Sequence, residues 1–274
     1  MARPPAWLVY PLAMIVLALA ALELREHAGA PPAPPPLSAP EGAALAQGAP
    51  FDLLSIVRVQ RGFGGAMGTA FSVADNGVWL SAGEVADDCA HPALLLGAGQ
   101  GVEAKARPGP RDQLTVLTTA GGGAPALPLA TETPPTGSPG FVAAFPHGRP
   151  GELALRLLGA ETLYLPARGA HPLPVLAWAE IGRTDGLGGA LVGIAGAPAL
   201  DSAGRVVGVV LGESPRRGRI YTTTPQAMAQ ALAAAGVRPA AGAAGQPITT
   251  DNYGLAADDL RRTLRVAPMV CATK

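Results

Sequence analysis

GIAGAPALDSAGRVVGVV, from Gly193 to Val210, is the stretch whose reading decides the fold. It opens on a glycine-rich turn (Gly193-Ile194-Ala195-Gly196-Ala197-Pro198), passes through the short apolar run Ala199-Leu200, and reverses at Asp201-Ser202-Ala203-Gly204. It returns as a second apolar run from Arg205 to Val210. Asp and Gly bounding a four-residue reversal are the residues a β-turn demands, so the stretch reads as a tight turn feeding a hairpin.

The same grammar repeats outward from this hairpin. Between Phe51 and Leu232 the runs include LLSIVRV, GTAFSV, GVWLSA, VEAKA, LTVLTT, GFVAAF, ELALRLL, VLAWAEI, GALVGI, RVVGVVL and RIYTT. Turn formers stand between them: Asp75-Asn76-Gly77, Pro108-Gly109-Pro110, Gly121 to Gly123 and Thr136 to Pro139. Roughly a dozen short strands with no intervening helices predict an all-β sandwich or a pair of barrels. One helix is predicted at Pro225 to Ala234 (PQAMAQALAA), with Pro in its first turn and Gly236 beyond its end.

Composition agrees with many turns. Among 274 residues there are 36 Gly and 29 Pro, and aromatics make up only 4%. Twenty basic and 20 acidic side chains balance to a net charge of zero, and no Lys/Arg block is present. Nucleic-acid binding is therefore not expected, because a phosphate backbone is gripped by clustered positive charge.

Residues 1–27 read as a membrane anchor and 28–50 as a spacer. Ala6 to Leu24 (AWLVYPLAMIVLALAALEL) carries Glu23 as its only charge, and Arg3 precedes it. Such a run nearly spans the hydrocarbon of a bilayer, and the basic residue favours an inside amino terminus. A cleaved signal peptide is the competing reading, with Ala18-Leu19-Ala20 offering small residues for the peptidase. The run exceeds a usual signal h-region, which favours the anchor. Either way the following domain is exported: a single-pass inner-membrane protein facing the periplasm, or a periplasmic or secreted one after cleavage. The Ala/Pro-rich GAPPAPPPLSAPEGAALAQGAP then lifts the domain off the membrane. In an oxidising compartment Cys89 and Cys271, the two cysteines of the chain, are free to pair, and the pairing reading is preferred over two buried thiols.

Four further stretches join the first to support a resemblance. Gly193 to Val210 resembles the nucleophile segment of the trypsin-like serine peptidases, a Gly-x-Ser-Gly-[Gly/Ala]-Pro turn followed by a hairpin. GTAFSVADNGVWLSAGEVADDC, Gly68 to Cys89, resembles the segment of that family that ends in [Thr/Ser]-Ala-x-His-Val. ARPGPRDQLTVLTT, Ala106 to Thr119, resembles the strand that begins Asp-Leu-Ala. FPHGRPGEL, Phe145 to Leu153, resembles the Pro-x-Gly-x-Pro-Gly turn of bacterial periplasmic members, and RIYTT with the helix after it resembles their domain end. The resemblance spans 51–235. It implies two six-stranded antiparallel β-barrels of chymotrypsin type, preceded by an N-terminal membrane helix and followed by a linker and tail, 236–274, with a short helix.

At the three positions where this resemblance expects the catalytic residues, the chain carries others. Ala195 stands in the serine's place, Glu84 in the histidine's and Gln113 in the aspartate's, with Asp112 one position early. The chemistry needs a hydroxyl to attack, an imidazole to move its proton and a buried carboxylate to hold the imidazole. A methyl group cannot attack, and Gln113 cannot bear a negative charge. Moving the turn to GLGGALV would put Leu187 in the serine's place and still supply no hydroxyl; sliding by one to recover Asp112 would turn the buried face of the following strand outward. The resemblance therefore implies a pseudopeptidase with no catalytic residues. Its Gly193, Ala195 and Gly196 would keep the backbone turn that binds an oxyanion in active relatives and would take a peptide carbonyl or carboxylate as ligand. A protein partner or membrane complex is expected.

Substitutes for the missing groups are few. Ser202 belongs to turn chemistry. His91 and His171 precede prolines and His147 lies in a Pro/Gly turn. An active serine endopeptidase with a rearranged site is the alternative reading. Metals and cofactors are not expected, since no close His or Cys ligand spacing occurs. In the tail, AAGAAGQ reads as a link, and YGLAADDLRRTLRVAPMV fits a short helix through Leu260, Leu264 and the Asp258 to Arg262 pair. That helix is expected to pack across the domain or to dock a partner.

Overall fold

The computed structural model describes residues 54–56, 66–86, 89–97, 100–120, 124–164, 171–241 and 247–272. The predicted anchor at 6–24 and spacer at 28–50 lie outside them. Among the described residues no helix is long and apolar enough to cross a membrane.

Two barrels make up the molecule. The first takes β2 (Ala66–Ala74), β3 (Val78–Ala82), β4 (Pro92–Gly97), β5 (Gln100–Pro108) and β6 (Leu114–Thr119), and is closed by β13 (Val266–Cys271) in the order β13-β2-β3-β6-β5-β4. The second takes β7 (Pro139–Ala144), β8 (Gly151–Tyr164), β9 (Pro172–Arg183), β10 (Pro198–Leu200), β11 (Val206–Ser214) and β12 (Arg219–Thr222), closed by pairing of β8 with β9. β1 (Leu54–Ile56) lies parallel on the far end of β8, at Thr162 to Tyr164. The long β8–β9 ribbon is bulged between Ala154 and Leu155 and between Leu157 and Gly159. Bulges add twist and bend the ribbon, which is how a sheet is brought round to close.

Alternation along the strands sorts side chains into separate cores. Val142, Leu153, Leu155, Trp178, Val207 and Ile220 fill the second barrel. The Trp178 indole donates to the Thr222 hydroxyl at 2.9 Å, so its one polar atom is paired. Phe71, Leu80 and Leu114 of the first barrel meet Phe141 and Val209 of the second, together with side chains of two helices.

Those helices are α2 (Pro225–Ala234) and α3 (Tyr253–Arg262); α1 is the single turn Gly83–Ala86. The Thr224 hydroxyl caps α2 by accepting from Ala227 N at 3.2 Å. After α3, Leu264 takes a left-handed φ of 54° and turns the chain into β13. The barrel-forming residues thus extend past 235 to Cys271. β13 pairs with β2 from Val266 to Val270 and with β4 from Met269 to Cys271. Pro268, whose missing N–H argues against a central strand, precedes the residues that meet β4. Cys89 and Cys271 are joined in a disulfide, with Cα atoms 5.6 Å apart.

Candidate functional site

The segments that carry Ala195, Glu84 and Gln113 meet where the barrels join. The Gly193 to Gly196 turn enters from the second barrel, α1 with Glu84 and the start of β6 with Gln113 from the first. Gly83 N donates to Gln113 O at 2.9 Å, tying α1 to the head of β6. Thr69 N donates to Ala195 O at 2.9 Å, tying β2 to the turn. Ala195 is 4% exposed and packs in one cluster with Ala82, Val85 and Leu117. Glu84 is half-buried. Gln113 is 6% exposed, and its side-chain Nε2 finds no hydrogen-bond acceptor among the described residues.

Thr69 and Ser81 hold this junction, and neither was singled out from the sequence. The Thr69 hydroxyl donates to Gly193 O at 3.3 Å and accepts from Phe145 N at 3.2 Å, so one buried side chain in the first barrel bonds two segments of the second. The Ser81 hydroxyl donates to Thr69 O at 2.7 Å. The signal that finds them is a small polar residue within an otherwise apolar strand, since such hydroxyls must be paired when buried. Glycine is required at two places. A Cβ on Gly68 would lie 2.7 Å from Ala195 O, and one on Gly196, where φ is +86°, would lie 2.0 Å from Thr69 O.

The turn is shaped by two left-handed glycines, Gly193 and Gly196. Gly193 has φ of +96°. His147 N donates to Val192 O at 2.6 Å, and Ile194 N to Leu191 O at 3.2 Å. The N–H groups of Gly193 and Ala195 donate to no group among the described residues. His147 is exposed, with a left-handed φ of 53°. It stands beside the turn through its backbone.

A charged brace flanks the turn. Arg183 pairs with Glu180 and donates to the carbonyls of Leu187 at 3.0 Å and Gly189 at 3.2 Å. The Glu213 carboxylate accepts from Leu191 N. Burial pushes the Glu213 carboxyl above its ordinary value, opposed by that hydrogen bond and by Arg183. The hydrogen bond to Glu180 raises Arg183 in turn. Leu187 is partly buried in this loop, against the second barrel's core.

The other candidates lie apart. Ser202 is exposed in the β10–β11 turn, where Asp201 Oδ1 accepts from Ala203 N and Arg205 N, each at 2.9 Å. The His91 ring lies 3.0 Å from a Glu103 carboxylate oxygen, and His171 is exposed before β9. Asp112 ends the 3-10 turn Pro110–Asp112, with Gln113 following it at the head of β6. Among the described residues no three His, Cys, Asp or Glu side chains are placed to hold a metal ion.

Two closed six-stranded barrels meeting at a glycine-rich turn define the fold of the trypsin-like serine proteases. Among solved structures the chain is similar to the Rv3671c protease in its inactive form, with 22% identity and a TM-score of 0.52, covering 62% of this chain and 84% of that one. The active form of the same protease from M. tuberculosis gives 21% identity and a TM-score of 0.53, over 67% of this chain and 76% of that one. At this identity the likeness is one of fold. No protein-family model and no curated protein sequence matches the chain.

Proposed function

We propose that this chain is a non-catalytic member of the trypsin-like fold, tethered through residues 6–24 on the periplasmic face of the inner membrane. It serves there as a scaffold, accessory subunit or peptide-binding module for a protein partner. The observation that carries this reading is the buried methyl of Ala195 in the turn where the chemistry requires a hydroxyl, with Glu84 and Gln113 beside it. Loss of the serine or histidine alone removes nearly all of a triad's contribution, roughly 10⁶-fold in one such enzyme. The binding half of the site depends on the main chain. The N–H groups of Gly193 and Ala195 are oriented by glycine conformations, and they would take a peptide carbonyl or carboxylate.

A fluorophosphonate probe and a casein turnover assay on the purified chain test the reading. The expected result is neither labelling nor turnover above background. Labelling or turnover that disappears on mutating Ser202 or Glu84 would establish a rearranged active site instead.

A further inference from the structure

Where α2 runs past the head of β6, the Pro110–Asp112 turn, Pro174 and the first turns of the helix enclose a cavity of about 260 Å³. Its apolar lining is small, with Leu114, Ala227 and Ala231 beside the two prolines. The hydrogen-bonding groups around it are Arg111, Gln113 and the start of α2.

Two of these groups are donors without an acceptor. Arg111 is exposed, is the charged residue of the described lining, and pairs with no acid among the described residues. Its backbone is left-handed at φ 58°, a region that non-glycine residues seldom occupy, and Gly109 N closes the turn by donating to Leu114 O at 2.8 Å. In the first turn of α2, Pro225 has no N–H, Ala227 N is spent on Thr224 Oγ1 at 3.2 Å and Met228 N on Thr224 O at 3.3 Å. Gln226 N is the donor left over. Against these donors stands one acceptor. Gln113 is 6% exposed, and its amide makes no hydrogen bond among the described residues. Its Nε2 is shielded from solvent, which leaves Oε1 as the end that meets the cavity. The backbone there is fixed, Gly83 N donating to Gln113 O at 2.9 Å. A buried amide without a partner is unfavourable, so a ligand that supplies one gains by it.

The pattern is complementary to one short chemical unit. An oxyanion answers Arg111 and Gln226 N, where it also meets the positive end of the helix dipole. An N–H beside that oxyanion answers Gln113 Oε1. A carboxylate with an amide N–H one carbon away is the end of a polypeptide, and the small apolar lining suits a short terminal side chain. We propose that this cavity binds the free carboxyl terminus of a polypeptide partner, its carboxylate on Arg111 and Gln226 N and its last N–H on Gln113 Oε1. The site uses neither Glu84 nor the Gly193 to Gly196 turn, so it stands or falls independently of the reading given there.

Isothermal titration of the full-length chain with acetyl-dialanine, its carboxyl-terminal amide, propionate and inorganic phosphate tests this, alongside the Arg111→Asn and Gln113→Met variants. Asn tolerates the left-handed turn and Met is an apolar chain of similar length to Gln, so both variants keep the fold. Acetyl-dialanine should saturate the chain, and its amide should bind about tenfold or more weakly. Arg111→Asn should lose affinity for the free acid by a similar factor. Propionate carries the carboxylate without the N–H and should bind roughly fivefold more weakly than acetyl-dialanine, a preference that should vanish in Gln113→Met. Absence of saturable binding, equal binding of the amide or of phosphate, or a preference that survives Gln113→Met would each overturn the proposal. An affinity unchanged in Arg111→Asn would overturn it too, and would place the ligand at the Gly193 turn instead.

Discussion

Ala195 occupies a space that the surrounding backbone has prepared closely. Its carbonyl is held by Thr69 N, its neighbour Gly196 fits between Thr69 O and the Ser81 hydroxyl, and its own methyl belongs to the buried cluster that includes Val85 and Leu117. Adding one oxygen there is geometrically modest. On the proposed reading Ala195→Ser supplies a hydroxyl while Glu84 and Gln113 supply no imidazole to take its proton. The expected result is fluorophosphonate labelling of Ala195→Ser at background. Labelling above background would mean that a proton acceptor other than an imidazole activates the hydroxyl. The methyl of Ala195 was legible from sequence because side-chain identity shows as a letter. Thr69 was not, since its importance lies in two hydrogen bonds to residues 76 and 124 positions away.

At the scale of elements, α3 is fixed by a buried charge cluster that no sequence pattern showed. Arg261 pairs with Glu152 on β8 at 2.7 Å and with Asp258 at 3.1 Å, donates to Gly151 O at 2.7 Å and lies over the Phe145 ring. The expected Asp258 to Arg262 pair is replaced by Asp258 to Arg261, three positions apart, because Arg261 faces the second barrel. Burial holds the Asp258 carboxyl above its ordinary 3.8, with Arg261 pulling it down and Glu152 pushing it up. The folded chain therefore holds this proton more tightly than the unfolded chain, and protonation favours folding. The Asp258 contribution to stability is expected to fall as pH rises from 3.8 through the raised folded value and to stay level above it. Urea midpoints across that window measure it, and Asp258→Asn should flatten the slope; an unchanged slope would place the titration elsewhere.

Across the whole molecule, the tail is a strap. α3 docks on the second barrel, β13 completes the first, and the Cys89–Cys271 bond closes a span of 182 residues. Cross-linking a loop of that size restricts the unfolded chain strongly. Cys271→Ser is expected to lower stability by about 2–5 kcal/mol and to raise the urea m-value, since the unlinked unfolded chain exposes more surface. A variant with an unchanged midpoint would show that β13 holds by pairing alone.

Local patterns settled what depends on local chemistry. Period-two runs and turn residues marked the strands, Asp201 to Gly204 marked the hairpin, Pro225 to Ala234 was read to its observed ends, and Gly193 and Gly196 marked a tight turn. Which strand closes the first barrel was decided only by tertiary structure. Backbone pairing accepts many extended apolar runs, and the choice of Val266–Cys271 beside β2 and β4 rests on contacts nearly two hundred residues distant.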